Sequence, residues 1–583
     1  VSDTVYLTFK NDSFDTFVVG AGPRDTELCK LVPGTRAGKL DPRAGAVQWT
    51  CPATLYHAVV LRNVFGQRLS YGPAVRAWGE QQILDEVRRQ LIRTAPVGAG
   101  GPLFGYQKTG ANWLYAGHAL LGDDMGTGKT VQALAALNAL GRSTDALVVT
   151  TGSMKFKWAE EARKWAPAWE SVVVIDGSAD KRRKLIAQAP PSTLFVINWD
   201  LLRSHSRLAG FGSTALSAEE RTDKELNARR IGVVIADEAH RAKDPTAKQT
   251  RALWYVSRNA DHRWALTGTP IVNAHVDLWS LLHFLDPEVW PSRSDFVSRY
   301  VNGYMADWGF VPIGWNASTK DELFRFVDHY LLRRTKAEVL PDLPAKRYER
   351  RTVELTPKQA AAYKSMKKEL IATIDDTLLI AGDPLTKAGR LSQIASATPI
   401  LEEREVTDPE TGEVRRYADV VALGTPSNKL AALKDILDET DEPIVVFAAS
   451  RKLIDLCEAE LEKKHTIVRI TGTESSEERA NNVRLFQEGT VRIALCTFGA
   501  GSEGITLTRA STAVFLQRPW SLVQSKQAED RIHRIGQEAS SVLIIDVVSQ
   551  GTIDEAVYAT LVEKEETLES VTRDKARLRE LLS

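Results

Sequence analysis

From about residue 99 onward, short continuous apolar runs alternate with longer stretches of helical periodicity. The first set is ALVVTT (146–151), SVVVID (171–176), LFVIN (194–198), GVVIAD (232–237) and RWALTG (263–268). Hydrophobicity that is continuous rather than alternating predicts strands covered on both faces, as in a parallel sheet flanked by helices. The same rhythm returns in PIVVFA (443–448), TIVRIT (466–471), VRIALCT (491–497), STAVFLQ (511–517) and SVLIIDV (541–547). The chain is therefore expected to be α/β, with two doubly wound parallel-sheet lobes that bind ligands at the carboxyl ends of their strands.

Three other stretches break that rhythm. Residues 289–425 read as a mainly helical region, as in TPKQAAAYKSMKKELIATIDD (356–376), with a hairpin over 402–421. Residues 551–583 read as a charged helix with sparse apolar positions at Leu561, Leu568, Leu578 and Leu581. Residues 1–98 read as a small α+β module. In it, CKLVPGTRAGKLDPRAGAVQWTCPATLYHAVVLRNVFG predicts a short helix, a Pro-Gly turn, a strand pair around DPRAGA and a helix from about Ala53. The expected divisions are 1–98, 99–288, 289–425, 426–550 and 551–583.

Composition adds exclusions. The 583 residues suit about four units of ~150 residues each. Lysine plus arginine and aspartate plus glutamate each number 75, so the net charge is zero and any basic track for nucleic acid must be local. The four cysteines, Cys29, Cys51, Cys457 and Cys496, have no metal or redox spacing and read as free thiols in a reducing compartment. No apolar run approaches the ~18 residues of a membrane span, and VSDTVYLTFK carries no secretion signal. A soluble intracellular protein without a membrane partner is expected: nucleoid-associated in the cytoplasm of a prokaryote or phage, nuclear in a eukaryote.

The chemistry starts at LLGDDMGTGKT, which ends a buried segment and opens the helix VQALAALNAL. A strand, a glycine turn and a helix N-terminus present N–H groups and a positive dipole end to phosphate. Gly126 and Gly128, flanking Thr127, let the backbone approach an ATP triphosphate; Lys129 can reach its β- and γ-phosphates and Thr130 can ligate Mg²⁺. The loop departs from the general pattern by starting at Asp123 instead of glycine. In VVIADEAH, Asp237 is placed to hold Mg²⁺ and Glu238 to orient the attacking water. ALTGTP adds Thr267 and Thr269 at another strand end.

Taken in order, GYQKTGANWL, DDMGTGKT, DEAH, LTGTPIVNAHVDLWSLLHFLDP, YLLRRTKAEVLPDLP and QAEDRIHRIGQ resemble the motor of Swi/Snf-related ATPases of helicase superfamily two, over residues 99–565. The resemblance implies two RecA-like lobes, ATP hydrolysis and movement along double-stranded DNA. It implies adenine contact for Gln107. It places Ser153, Lys155, Trp158, Asn198 and Trp199 on DNA-facing loops, core packing being the alternative for both tryptophans. CTFGAGSEGITLT resembles the loop that links the DNA backbone to the cleft, which implicates Thr497 and Ser502 on the DNA side and Gly504 on the nucleotide side. Trp520 in RPWSLVQSKQAEDR falls on the same DNA side. Ser502 and Thr506 depart from the commoner residues, and Trp520 lacks the usual Asn-Pro after it. These departures resemble the annealing-helicase (HepA-related, HARP) branch. More weakly, the module before residue 99 resembles the HARP type. Its Lys30, Arg36, Lys39 and Arg43 cluster near Trp49, as backbone-holding cations beside a stacking surface or as solvated charges around a core tryptophan.

QAEDRIHRIGQ lies some four hundred residues beyond the phosphate loop and supplies Arg531 and Arg534. A phosphoryl-transfer transition state spreads negative charge that an arginine neutralises, to the extent of ~10³–10⁵ in rate. If those arginines belong to the second lobe, hydrolysis requires closure. The sequence thus points to an ATP-dependent translocase on duplex or branched DNA. Alternatives are a nucleotide-gated DNA clamp with little turnover, or an RNA helicase of the same superfamily.

Overall fold

The computed structural model describes residues 4–10, 13–32, 35–41, 46–53, 55–76, 78–79, 101–212, 215–268, 276–306, 309–369, 371–374, 377–380, 384–407, 414–501 and 505–563. The chain divides into two compact units, Val1–Ala95 and Pro96–Ser583.

The first unit is a five-stranded sheet: β1 (Val5–Lys10), β2 (Ser13–Ala21), β3 (Arg36–Asp41), β4 (Ala46–Pro52) and β5 (Leu69–Tyr71), in the order β3-β4-β2-β1-β5. β1 and β5 pair in parallel and the other neighbours are antiparallel. Helices Thr26–Lys30 and Leu55–Phe65 accompany the sheet. Alternation sends Val5, Leu7, Phe17, Val19, Trp49 and Cys51 into one core with Leu61 and Phe65.

In the second unit the first lobe is built from β6 (Ala119–Leu121), β7 (Asp145–Thr150), β8 (Val172–Val174), β9 (Leu194–Asn198), β10 (Ile231–Asp237) and β11 (His262–Leu266). Apart from half-buried β8, their apolar centres are buried, which is why they read as continuous runs. The sequence after β11 contributes three further pieces: a hairpin, β12 (Val301–Ala306) and β13 (Gly309–Trp315); the two-residue β14 (Leu331–Leu332); and β15 (Ala345–Val353). β14 joins the first sheet, whose order is β14-β6-β11-β10-β7-β9-β8 with every pair parallel.

Two more hairpins follow, β16 (Ile371–Ile374) with β17 (Thr377–Ile380), and β18 (Thr398–Thr407) with β19 (Val414–Gly424). The second lobe is β20 (Ile444–Ala448), β21 (Ile467–Ile470), β22 (Ile493–Thr497), β23 (Thr512–Phe515) and β24 (Ser541–Ser549), again all parallel, in the order β15-β24-β23-β20-β22-β21.

The expectation of a mainly helical 289–425 needs correction. Helices Pro357–Glu369 and Pro384–Ser396 are present, and the hairpin expected over 402–421 is longer, Thr398 to Gly424. The helix read over 356–376 stops at Glu369, and β-branched Ile371, Thr373, Ile374 and Thr377 enter an antiparallel strand pair instead. β15 escaped the search for continuous apolar runs because it is an edge strand. Lys346, Arg347, Arg350 and Arg351 fill its polar positions, as edges that resist unwanted pairing often do.

Residues 553–563 are helical; the rest of the charged tail expected to 583 lies outside the described residues. All four cysteines are buried free thiols. Among the described residues, no helix is long and apolar enough to cross a membrane.

Candidate nucleotide cleft

The site forms at the carboxyl ends of β6 and β10 and faces the second lobe. After β6 the chain turns through residues 122–128 into helix Lys129–Leu140. The turn needs left-handed backbone at Gly126 (φ 80°) and Gly128 (φ 79°). A Cβ on Gly128 would stand 2.6 Å from Gln107 Nε2, so the Gln107 side chain would have to shift from the loop.

Two residues fasten the loop from helix Gly105–Tyr115. Tyr106 Oη and Gln107 Nε2 donate to the Thr127 carbonyl at 2.9 and 3.3 Å. Lys129 Nζ donates to the carbonyls of Asp123 (2.7 Å) and Asp124 (3.0 Å). The departure at Asp123 has a structural reason. Its fully buried carboxylate takes a two-pronged Arg334 guanidinium, Nε to Oδ1 at 3.1 Å and Nη2 to Oδ2 at 2.5 Å.

Asp237 ends β10. Its Oδ2 accepts from Trp158 Nε1 (2.7 Å) and Thr150 Oγ1 (2.8 Å), and its carbonyl accepts from Trp199 Nε1 (3.0 Å). Burial, reinforced by the adjacent Glu238 charge, raises its pKa to about 6 against the pull of those side-chain donors. Glu238 sits at φ 49°, a left-handed conformation that costs a non-glycine residue of order 1–3 kcal/mol and is typical of functional sites. For Glu238 burial works upward, but the His240 hydrogen bond and the charges of His240, Lys129 and Arg531 prevail and hold its carboxyl below the ordinary value.

Across the cleft, helix Leu522–Ile532 starts at a Ser521 cap and buries Leu522, Val523, Ala528 and Ile532. Those residues give it an apolar face of its own. Arg531 lies in the last turn and Arg534 lies past the end, yet Nη1 of each donates to the Ile505 carbonyl at 3.3 Å. Gln527 Nε2 donates to Glu238 Oε1 at 3.1 Å, joining the two lobes. The resulting cleft of about 830 Å³ is lined by Gly126, Gly128, Lys129, Thr130, Asp237 and Glu238 from one lobe, and by Gln527, Arg531 and Arg534 from the other.

The expected DNA-facing set behaves differently. Trp158 and Trp199 are fully buried, so the core-packing alternative is the one observed, and their ring N–H groups hold Asp237. Lys155 is buried and paired with Asp176 at 2.5 Å, and Asn198 is buried at the end of β9. These four are corrected as direct DNA contacts, because no face of them is open to a strand. Ser153 is half-buried and bonds Thr151. Thr497 ends β22 half-buried. Trp520 is 49 % exposed and lines the cleft.

Ser502, Gly504 and Thr269 lie outside the described residues, as does Arg43, and nothing describes the Lys39 side chain. In the N-terminal unit Arg36 is exposed at the start of β3, while Trp49 is buried in the core and offers no stacking surface.

With this geometry in view, residues 106–397, half of the chain, match the SNF2-related domain, and residues 428–536 match the helicase conserved C-terminal domain. The chain belongs to the SNF2-related family. It is an ATPase of the helicase type, with two RecA-like lobes. The human DNA annealing helicase and endonuclease ZRANB3 is 29 % identical over 82 % of this chain and 40 % of its own length. The SWI/SNF-related matrix-associated actin-dependent regulator of chromatin subfamily A-like protein 1 of Xenopus tropicalis is 28 % identical over 80 % of this chain and 44 % of its own. The TATA-binding protein-associated factor MOT1 of Saccharomyces cerevisiae is 26 % identical over 82 % and 28 %. The chain thus spans less than half the length of these relatives. Among solved structures, the Sulfolobus solfataricus SWI2/SNF2 ATPase core in complex with dsDNA is 25 % identical, covering 82 % of this chain and 94 % of that one, with a TM-score of 0.36.

Periodicity and motif spacing missed Arg333, Arg334 and Lys336, which surround the phosphate loop. Arg333 donates to the Gly122 and Gly268 carbonyls at 3.0 and 2.9 Å. The run of three cations in LLRRTK, directly after two leucines, was the available signal.

Proposed function

We propose that this SNF2-related ATPase is a double-stranded DNA translocase that acts on duplex or branched DNA, in the manner of fork remodelling and strand annealing. The observation that carries the reading is the shared cleft, with Lys129 and Glu238 from one lobe facing Arg531 and Arg534 from the other. In this reading Lys129 exchanges the Asp123 and Asp124 carbonyls for phosphate oxygens of ATP, and Glu238 orients the attacking water. Arg531 and Arg534 offset the charge that develops on the phosphoryl oxygens, about 4–7 kcal/mol of barrier if they act as such arginines generally do. Gln107 and Tyr106 hold the loop in shape beside the base.

Thr130 and Asp237 fit Mg²⁺. The donors are hard oxygens, and they line the cleft together with the Glu238 carboxylate. Held by Thr130 and Asp237, the ion would neutralise charge on the phosphates. Chemistry becomes movement because closing and reopening the cleft shifts the two lobes against each other. Both arginines hold the Ile505 carbonyl, in the CTFGAGSEGITLT stretch that this reading assigns to the strand.

A relative named as an annealing helicase supports the choice of branched DNA, as does exposed Arg36, proposed with Lys39 to hold the phosphate backbone. The test compares ATP hydrolysis on single-stranded DNA, duplex, forked DNA and RNA, together with displacement of a triplex-forming third strand. The expected result is strong stimulation by duplex and fork with third-strand displacement. Stimulation by RNA, or efficient unwinding of a long tailed duplex, would contradict the reading.

A further inference from the structure

Lys336 has no part in the chemistry described so far, yet it stands between the phosphate loop and the arginines. It opens the short helix Lys336–Val339, whose start is fixed by a reciprocal cap. Thr335 Oγ1 accepts from the Glu338 amide at 3.3 Å, and the Glu338 carboxylate accepts from the Thr335 amide at 2.6 Å. From that fixed point Lys336 reaches in two directions. Its amide donates to Asp124 Oδ2 in the phosphate loop at 3.0 Å. Its ammonium donates to Asp530 Oδ1 at 2.6 Å and to the His533 carbonyl at 2.7 Å. Asp530 directly precedes Arg531, and His533 directly precedes Arg534. A Cβ on Gly126 would meet Lys336 Nζ at 3.3 Å and Arg534 Cβ at 3.4 Å, so lysine, loop and arginine are packed together.

We propose that Lys336 is a positioning residue for ATP hydrolysis, a buried pin that sets Arg531 and Arg534 in register with the phosphate loop. The side chain is only 11 % exposed, so its two ammonium bonds are made in a low dielectric and hold their geometry tightly. They join the lobes without passing through nucleotide. An arginine displaced by ~1 Å from a developing charge forfeits about 10²-fold in rate, and Lys336 fixes that spacing. The inference rests on the reading of the arginines, and the two fail separately. Normal turnover in Arg534→Ala removes the arginine reading, whereas normal turnover in Lys336→Met alone removes the pin.

The experiment uses the full chain with Lys336→Met, which keeps the length of the side chain and removes its charge. Asp530 retains Lys346 at 3.3 Å, so no carboxylate is orphaned. ATP affinity should stay within about threefold, while kcat and the affinity for ADP with aluminium fluoride, a mimic of the transferring phosphoryl group, both fall about 10–100-fold. Asp530→Asn should give the same split from the other lobe, and the double variant should lose no more than the larger single loss. The proposal is overturned by unchanged kcat, by equal losses of ATP and analogue affinity (the mark of a mere brace), or by losses that multiply in the double variant. Should Lys336→Met not fold, the split in Asp530→Asn decides on its own.

Discussion

The two lobes of the motor share an architecture and contribute opposite halves of one site. The first supplies oxygen acids and a lysine-bearing loop from the carboxyl ends of β6 and β10; the second supplies arginines from the end of one helix and the turn beyond it. They are also finished differently. β14 adds two residues beside β6, while β15 adds nine residues beside β24. Both additions come from residues 331–353, and the cations of that stretch do different things at its two ends. Arg333 and Arg334 stiffen the phosphate loop; Lys346 donates to Glu529 (2.9 Å) and Asp530 (3.3 Å) under the arginine helix. The connection between the lobes is therefore part of the site, and it is anchored at both edges before any ligand enters.

The comparison can be broken from either side. The largest effect is expected at the first lobe's chemistry. Lys129→Ala and Glu238→Gln should each slow hydrolysis by about 10³ or more. They should separate in binding, since Lys129 grips phosphate and Glu238 acts on water, so only the glutamine variant keeps ATP affinity in a fluorescent-nucleotide titration. Parental turnover in Glu238→Gln would mean that another group orients the water.

Next is Arg334→Met, which leaves the Asp123 carboxylate buried without its forked partner. It should cost about 3–5 kcal/mol in denaturant unfolding of the motor, and a loss within error would show that the loop does not depend on residues 331–353. A smaller effect is expected from Trp158→Phe, which removes one donor to a charged carboxylate, worth about 1.5–3 kcal/mol. Without a metal ion, burial and the adjacent Glu238 charge raise the Asp237 pKa to about 6. The profile of kcat/KM, which reports the free enzyme before Mg²⁺ and ATP enter, should fall as pH drops through about 6. Losing a hydrogen bond that favours ionisation should move that fall to higher pH. A pH–rate profile with an unmoved acid limb would separate Trp158 from the acid.

How much of this was legible in sequence follows from the physics of each element. The buried parallel strands were read because burial on both faces leaves no polar position, and the loop and its acids were read because phosphate chemistry restricts residue type and spacing. β15 was missed because an edge strand is half solvated and charged. Trp158 and Trp199 were placed at a strand-facing surface because a tryptophan looks alike in sequence whether it stacks on a base or donates to a buried aspartate. Asp123 looked like a lapse in the loop because its partner, Arg334, lies far along the chain. What sequence pattern misses here is pairing over distance, which only the folded chain brings about.

The central claim is that the second lobe completes the catalytic site of the first. Phosphate release by Arg534→Ala, measured with saturating duplex DNA beside its ATP affinity, tests it most directly. The account predicts turnover at least about 10²-fold slower with ATP affinity within about threefold, and a similar outcome for Arg531→Ala. Parental turnover in both variants would contradict it.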